Sequence, residues 1–136
     1  MSEAVIKGRV GVKGVAEGEA VVTREALSFL VVDWRTGVVA LPTHELYGKS
    51  IAGKILVIPA EVGATADPMG LYYLKKTGKA PEAVLCVSTG PMAVVASIIT
   101  DTPMMCAFDK NPIEIIETGD HVKVDADKGV VTIIKK

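Results

Sequence analysis

The sequence predicts an α/β fold: a central parallel βαβαβ unit flanked by antiparallel β segments. Apolar runs at residues 55–58 (ILVI), 83–87 (AVLCV) and 104–107 (MMCA) have the length and continuity of strands covered on both faces. The stretches between them open on Asp67-Pro68 and Gly90-Pro91, and a third proline start, Asn111-Pro112, follows the last run. Short links from strand to helix to strand imply parallel strands joined by right-handed crossovers.

The elements follow in order. Residues 5–12, 19–22 and 29–32 are short apolar stretches rich in β-branched residues, and Gly14, Gly18 and Gly37 punctuate them. That pattern predicts antiparallel strands and turns. Asp33-Trp34-Arg35-Thr36-Gly37 reads as a turn closing into Val38-Val39, and residues 42–53 as a polar, irregular connection. After the strand at 55–58, Asp67 is expected to cap a helix with Leu71, Tyr72 and Leu74 on its buried face, ended by Gly78. A second helix runs from Gly90-Pro91 through Ile99, and a third, short one is stopped by Gly119. The tail predicts a hairpin, with strands at 121–124 and 130–134 around a turn at 125–129.

At 136 residues the chain suits one domain, 1–136, and is long enough to bury a core without a staple. A hydrophobic share of 49% excludes a disordered chain. Fifteen basic against 16 acidic residues leave a net charge of −1, which argues against a nucleic-acid partner. No apolar run approaches a bilayer span, and the start lacks a basic region followed by an apolar one. A cytoplasmic protein with no membrane partner is therefore expected. Cys86 and Cys106 fit a reducing compartment and are too few to hold an iron–sulfur cluster or a structural zinc unaided.

Ligands of open α/β sheets collect beyond the carboxyl ends of the parallel strands. Two loops fall there: the segment 59–67, containing Gly63, Ala64, Thr65, Ala66 and Asp67, and Ser88-Thr89-Gly90. Both place backbone N–H groups at a helix start, which suits a carboxylate or phosphate. The plainer reading has Asp67 and Thr89 capping helices and Gly63 turning the chain. The first loop is longer than a bare connection needs. Elsewhere His44 is expected at the surface, His121 on a strand, Cys86 as an inert core thiol, and Met104 and Met105 as core filling. Glu17 and Glu19 suit a solvated strand edge. Arg24 and Glu25, beside Ser28, suit a surface ion pair or an interface. No nucleophile–base grouping, phosphate loop or metal motif is complete.

Several stretches carry a family resemblance in order and spacing. They are Ala16-Glu17-Gly18-Glu19-Ala20, Thr23-Arg24-Glu25, Leu27-Ser28-Phe29, Val32-Asp33, Thr36-Gly37, His44 and Leu46-Tyr47-Gly48. Further on come Gly53-Lys54-Ile55-Leu56-Val57, Gly78-Lys79-Ala80-Pro81, Thr118-Gly119-Asp120 and Val122-Lys123-Val124-Asp125. Together they resemble the small swivelling subunit of aconitase-X dehydratases. The resemblance implies a swivelling β/β/α domain like the mobile domain of aconitase. It also implies a large partner subunit that carries the iron–sulfur cluster and most substrate contacts, with no cluster bound by this chain. The family eliminates water from small hydroxy acids, so the implied substrate is (R)-5-phosphomevalonate of the mevalonate pathway, slightly ahead of 3-hydroxyproline. The alternative is a diverged, non-catalytic paralogue that binds a ligand or regulates a partner. An isolated small-molecule-binding domain has least support.

The same resemblance singles out Gly63-Ala64-Thr65. There the family shows glycine, then serine, then serine, threonine or cysteine, and its serine is thought to abstract the substrate proton. Ala64 has no proton acceptor, and Val62 stands where the phosphomevalonate branch usually carries an arginine. Thr65 is the nearest hydroxyl and the candidate catalytic residue in its place. The face near Arg24, Glu25 and Ser28 is expected to meet the large subunit.

Overall fold

The computed structural model describes residues 2–63 and 65–136. The strands are β1 (Glu3–Lys7), β2 (Arg9–Val12), β3 (Val15–Val22), β4 (Ile55–Ala60), β5 (Ala83–Ser88), β6 (Met104–Cys106), β7 (His121–Asp125) and β8 (Val130–Ile134). The helices are α1 (Asp67–Lys76), α2 (Pro91–Thr100) and the short α3 (Pro112–Ile115), with a 3-10 turn at Phe29–Val31. All eight strands form one sheet in the order β1-β8-β7-β3-β4-β5-β6-β2. Strands β3 to β6 are mutually parallel, and the remaining neighbours are antiparallel. The predicted parallel βαβαβ unit, β4-α1-β5-α2-β6, and the C-terminal hairpin β7-β8 are both present.

The edge strands β1 and β2 are separated in sequence by Gly8 alone, so the sheet curls until its two edges are successive pieces of one chain. The Gly8 N–H donates to the Gly129 carbonyl at 3.0 Å. Across the seam the Asp109 N–H donates to the Lys7 carbonyl at 2.8 Å, and Asp109 Oδ1 accepts from the Lys7 N–H at 2.9 Å.

The structure corrects three expectations in the first third. The stretch 5–12 is two strands with different partners, because the chain breaks at Gly8 to close the seam. β3 is antiparallel to β7 along its first part, but its end, Ala20–Val22, pairs parallel with β4, so the parallel unit has a fourth strand. Residues 29–32 are no strand. Ser28 Oγ accepts from the Leu30 N–H at 3.2 Å and starts a 3-10 turn. That turn buries the Phe29 ring, and only a single bridge, Val32 to Val39, survives of the expected pairing.

Two cores lie on the two faces of the sheet. Leu56 and Ile58 join Phe29, Leu46, Leu71 and Leu74 on the face covered by α1 and α2. Ile55 and Val57 join Ile6, Leu85, Val122 and Val131 on the other. The alternation along β4 explains its continuous apolar run, since each such burial contributes about 1.5–3 kcal/mol. The connection 42–53 is irregular, as its composition predicts, yet it packs down on Leu46 and Ile51. His44 is buried with them rather than at the surface. Its Nδ1 accepts from the Leu46 N–H at 3.0 Å. The ring proton therefore sits on Nε2, which donates to the Ala26 carbonyl at 3.0 Å.

The last turn before β7 and the end of β8 are joined through Asp120, which is 1% exposed. Its Oδ2 accepts from Lys135 Nζ at 2.6 Å and from the Glu117 N–H at 2.8 Å. Burial alone pushes this carboxyl up. The Lys135 ammonium, with the Glu117 and Lys136 N–H groups, outweighs that and holds it below its ordinary value of 3.8. A carboxyl depressed in the folded state stabilises the fold above the unfolded value and loses that contribution as pH falls through the folded one. Asp120→Asn is expected to cost about 2 kcal/mol at neutral pH. It should also flatten the acid limb of stability below about pH 4. Urea midpoints of both proteins between neutral pH and pH 2.5 check this, and parallel acid limbs would refute it.

Candidate functional site

The carboxyl ends of the four parallel strands lie along one edge, so residues 23–28, 61–63 with 65–66, 89–90 and 107–111 emerge together there. This is the edge where the sequence places a site.

The segment after β4 is exposed at Val62, Gly63, Thr65 and Ala66, and Ala64 lies outside the described residues. Gly63 adopts φ +89° with nothing within 4 Å of where a Cβ would sit. A side chain there would be strained by the left-handed backbone rather than by crowding. Thr65 Oγ1 has no hydrogen-bond partner among the described residues, so no base or acid there is positioned to activate it.

The start of α2 does not offer the free amides expected of it. The Glu61 carboxylate reaches across from the neighbouring loop and accepts from the Ala93 N–H in the first turn. A Cβ at position 90 would overlap that carboxylate, so Gly90 is what admits it. The chain's own anion thus fills this helix end. Thr89 does not cap it either, because its hydroxyl donates to the Gly90 carbonyl at 3.3 Å.

Asp67 departs furthest from its expected role. The capping position of α1 is Ala66, which has no side chain able to cap, and Asp67 is the first helical residue. Its carboxylate is 1% exposed and turned into the protein. There it accepts from Ser28 Oγ at 2.5 Å and from the Phe29 N–H at 3.1 Å. At this first position the side chain falls back over the segment packed beneath the helix. Asp67 therefore fixes the base of the exposed loop to the segment after β3. Ser28 is buried by the same contact and forms no part of an exposed face.

Of the remaining candidates, Arg24 and Glu25 share this edge in the segment 23–28, while Glu17 and Glu19 lie on β3 before its parallel end. Arg24 and Glu25 do not pair with each other. Glu25 accepts from the Glu45 N–H at 2.8 Å, and Glu45 accepts from the Arg24 N–H at 3.0 Å. On β3, Glu17 lies 2.8 Å from His121 Nε2, and this hydrogen bond holds its carboxyl below the usual range. Glu19 pairs with Lys54 at 3.2 Å, so both glutamates lie on a solvated strand face. Burial pushes the Cys86 thiol up to about 11, the wrong direction for a nucleophile or a metal ligand. Cys106 is buried as well. Among the described residues no three His, Cys, Asp or Glu side chains gather to hold a metal ion. The donor set of this chain does not fit an iron–sulfur cluster. No helix among them is long and apolar enough to cross a membrane.

Comparison with known proteins decides the family. Residues 5–133 match the aconitase X swivel domain. The chain belongs to that family. Relatives include the phosphomevalonate dehydratase small subunit of Methanosarcina acetivorans, 41% identical, with 96% of this chain and 91% of that protein covered. The protein of the same name from Thermococcus kodakarensis is 43% identical, with 96% of each chain covered. Among solved structures, the holo-form of Thermococcus kodakaraensis aconitase X superposes with a TM-score of 0.91 at 42% identity, covering 97% of this swivel domain and 99% of that chain. A solution structure of a UPF0107 protein follows with a TM-score of 0.89 and 38% identity, covering 97% and 100%. The expected swivelling α/β architecture is therefore present.

Proposed function

We propose that this chain is the cytoplasmic small subunit of a heteromeric aconitase-X-type dehydratase whose substrate is (R)-5-phosphomevalonate. The observation that carries the reading is full-length similarity, at about 40% identity, to proteins named phosphomevalonate dehydratase small subunit. The chain presents residues 61–63 and 65–66 at the carboxyl edge of its parallel strands, fixed below by Asp67 and alongside by Glu61. In this reading the large subunit brings the iron–sulfur cluster and most substrate contacts, consistent with the lack, among the described residues, of three side chains that could hold a metal ion. Elimination of water removes a proton from one carbon and the hydroxyl from its neighbour. Thr65 carries the only side-chain oxygen between Val62 and Ala66, and takes the place of the family serine in receiving that proton.

Ala64 favours a second reading, a paralogue that closes over a ligand without turning it over. One experiment separates the two. The chain is purified alone and with a co-expressed aconitase-X large subunit, then assayed for dehydration of phosphomevalonate and of 3-hydroxyproline. Activity confined to the complex and to phosphomevalonate is the expected result. Binding without turnover supports the paralogue, and dehydration by the chain alone refutes both.

A further inference from the structure

Beside the candidate loop lies an apolar surface to which no role has been given. Leu30, Trp34, Met69 and Tyr73 are each 46–50% exposed. With Phe29 and Gly70 they line a shallow cavity of about 120 Å³. The chain has one tryptophan, three tyrosines and two phenylalanines, and Trp34, Tyr72, Tyr73 and Phe29 are gathered here. The Trp34 and Tyr73 ring centroids are 6.3 Å apart, and those of Tyr72 and Tyr73 are 5.7 Å apart, edge to face. Arg35 lies over the Trp34 ring at 5.2 Å and Lys76 over Tyr72 at 5.6 Å. An aromatic and methionine centre with cations at its rim has the composition of an interface core, where such residues anchor binding.

We infer that this patch is the docking surface for the large subunit, an inference that rests on the small-subunit reading above. Two observations choose this occupant. First, the relatives that match the whole chain are named small subunits, so a larger partner is part of the reading. Second, one end of the patch, Leu30 and Met69, adjoins the candidate loop, and from there the patch runs along α1 to Trp34, whose carbonyl accepts from Thr77 Oγ1 at 2.6 Å. Met69 follows two residues after Asp67, and Leu30 belongs to the turn that Asp67 holds through Ser28 and the Phe29 N–H. A partner seated on Leu30 and Met69 would meet the same edge that Thr65 lines. Another apolar surface, Val95, Ile98 and Ile99 on α2, is aliphatic and has no aromatic anchor.

The test uses the full chain and an aconitase-X large subunit. Trp34 is the single tryptophan, so 5-fluorotryptophan incorporated into this chain alone gives one fluorine resonance. That resonance is expected to shift or broaden when unlabelled large subunit is added. Trp34→Ser combined with Tyr73→Ser is expected to weaken the complex at least about 30-fold, and Ile98→Ser to leave affinity unchanged. If the double variant fails to fold, the fluorine resonance of the wild-type chain decides. A complex that forms while the Trp34 resonance stays in place, or that only Ile98→Ser weakens, overturns the surface and leaves the subunit assignment standing. Failure of the wild-type chain to form any complex overturns both.

Discussion

Ala64→Ser is expected to raise the dehydration rate of the assembled complex by about 10²–10⁴-fold, the contribution of a positioned base. The family resemblance puts a proton-abstracting serine at this position, and a methyl group cannot accept a proton. The neighbouring geometry admits the change. Val62, Gly63 and Thr65 are exposed, and Gly63 holds its left-handed conformation with open space around it. Thr65→Ala is the complementary variant, expected to abolish whatever turnover the natural complex shows. A threonine hydroxyl is a weak base without an activating partner, and Thr65 has none among the described residues. The natural rate should accordingly be low. Turnover numbers of the complex against phosphomevalonate and 3-hydroxyproline, with urea midpoints showing that both variants remain folded, check the pair. Activity that survives Thr65→Ala unchanged would place the base elsewhere and remove this loop from the chemistry.

The parallel half of the fold was legible because β4, β5 and β6 are buried on both faces, and burial on both faces writes a continuous apolar run. The proline starts were legible for a related reason. A missing N–H and a fixed φ suit the first helical turn, so Pro68, Pro91 and Pro112 mark three helices whatever the tertiary context. Residues 29–32 misled because β-branched and aromatic residues suit a strand and a buried turn equally well. What decides between them is a contact between Ser28 and Asp67, 39 positions apart, that no local window contains. His44 misled similarly: its polar neighbours suggest surface, while its ring accepts from the Leu46 N–H and donates to the carbonyl of Ala26, 18 residues earlier.

The candidate edge was legible in position and not in chemistry. Topology alone says where the loops after β4 and β5 emerge. It does not say that Glu61 occupies the start of α2, because a glutamate 32 positions before Ala93 has no sequence mark as its cap. A usable signal was present at Gly90. A glycine at a helix start where Ser, Thr, Asp or Asn is commoner can mean that something else approaches the backbone there.

Asp67→Ala is expected to destabilise the fold by about 3–4 kcal/mol, the sum of two buried donors left unmet and a small void. The donors are the Ser28 hydroxyl and the Phe29 N–H, and among the described residues each bonds to no acceptor other than Asp67. The loss does not stop at two hydrogen bonds. Ser28 Oγ also accepts from the Leu30 N–H, so the turn carrying Phe29 loses its anchor, and Phe29 is a member of the core beneath α1. Asp67→Asn keeps the size and one acceptor oxygen but gives up the charge-assisted bond. It should cost about half as much. Ser28→Ala removes one donor and leaves Asp67 with the Phe29 N–H, so a loss of about 1–2 kcal/mol is expected. The pair should be coupled: with Asp67 already alanine, Ser28→Ala should cost at least about 1 kcal/mol less than in the wild-type chain. Urea unfolding of the wild-type chain and the four variants measures these differences, and hydrogen exchange at the Phe29 and Leu30 amides shows whether the turn opens locally before the whole chain does. A cost below about 0.5 kcal/mol for Asp67→Ala, or additive effects of the two substitutions, would mean that the carboxylate does not fix the loop to the segment after β3.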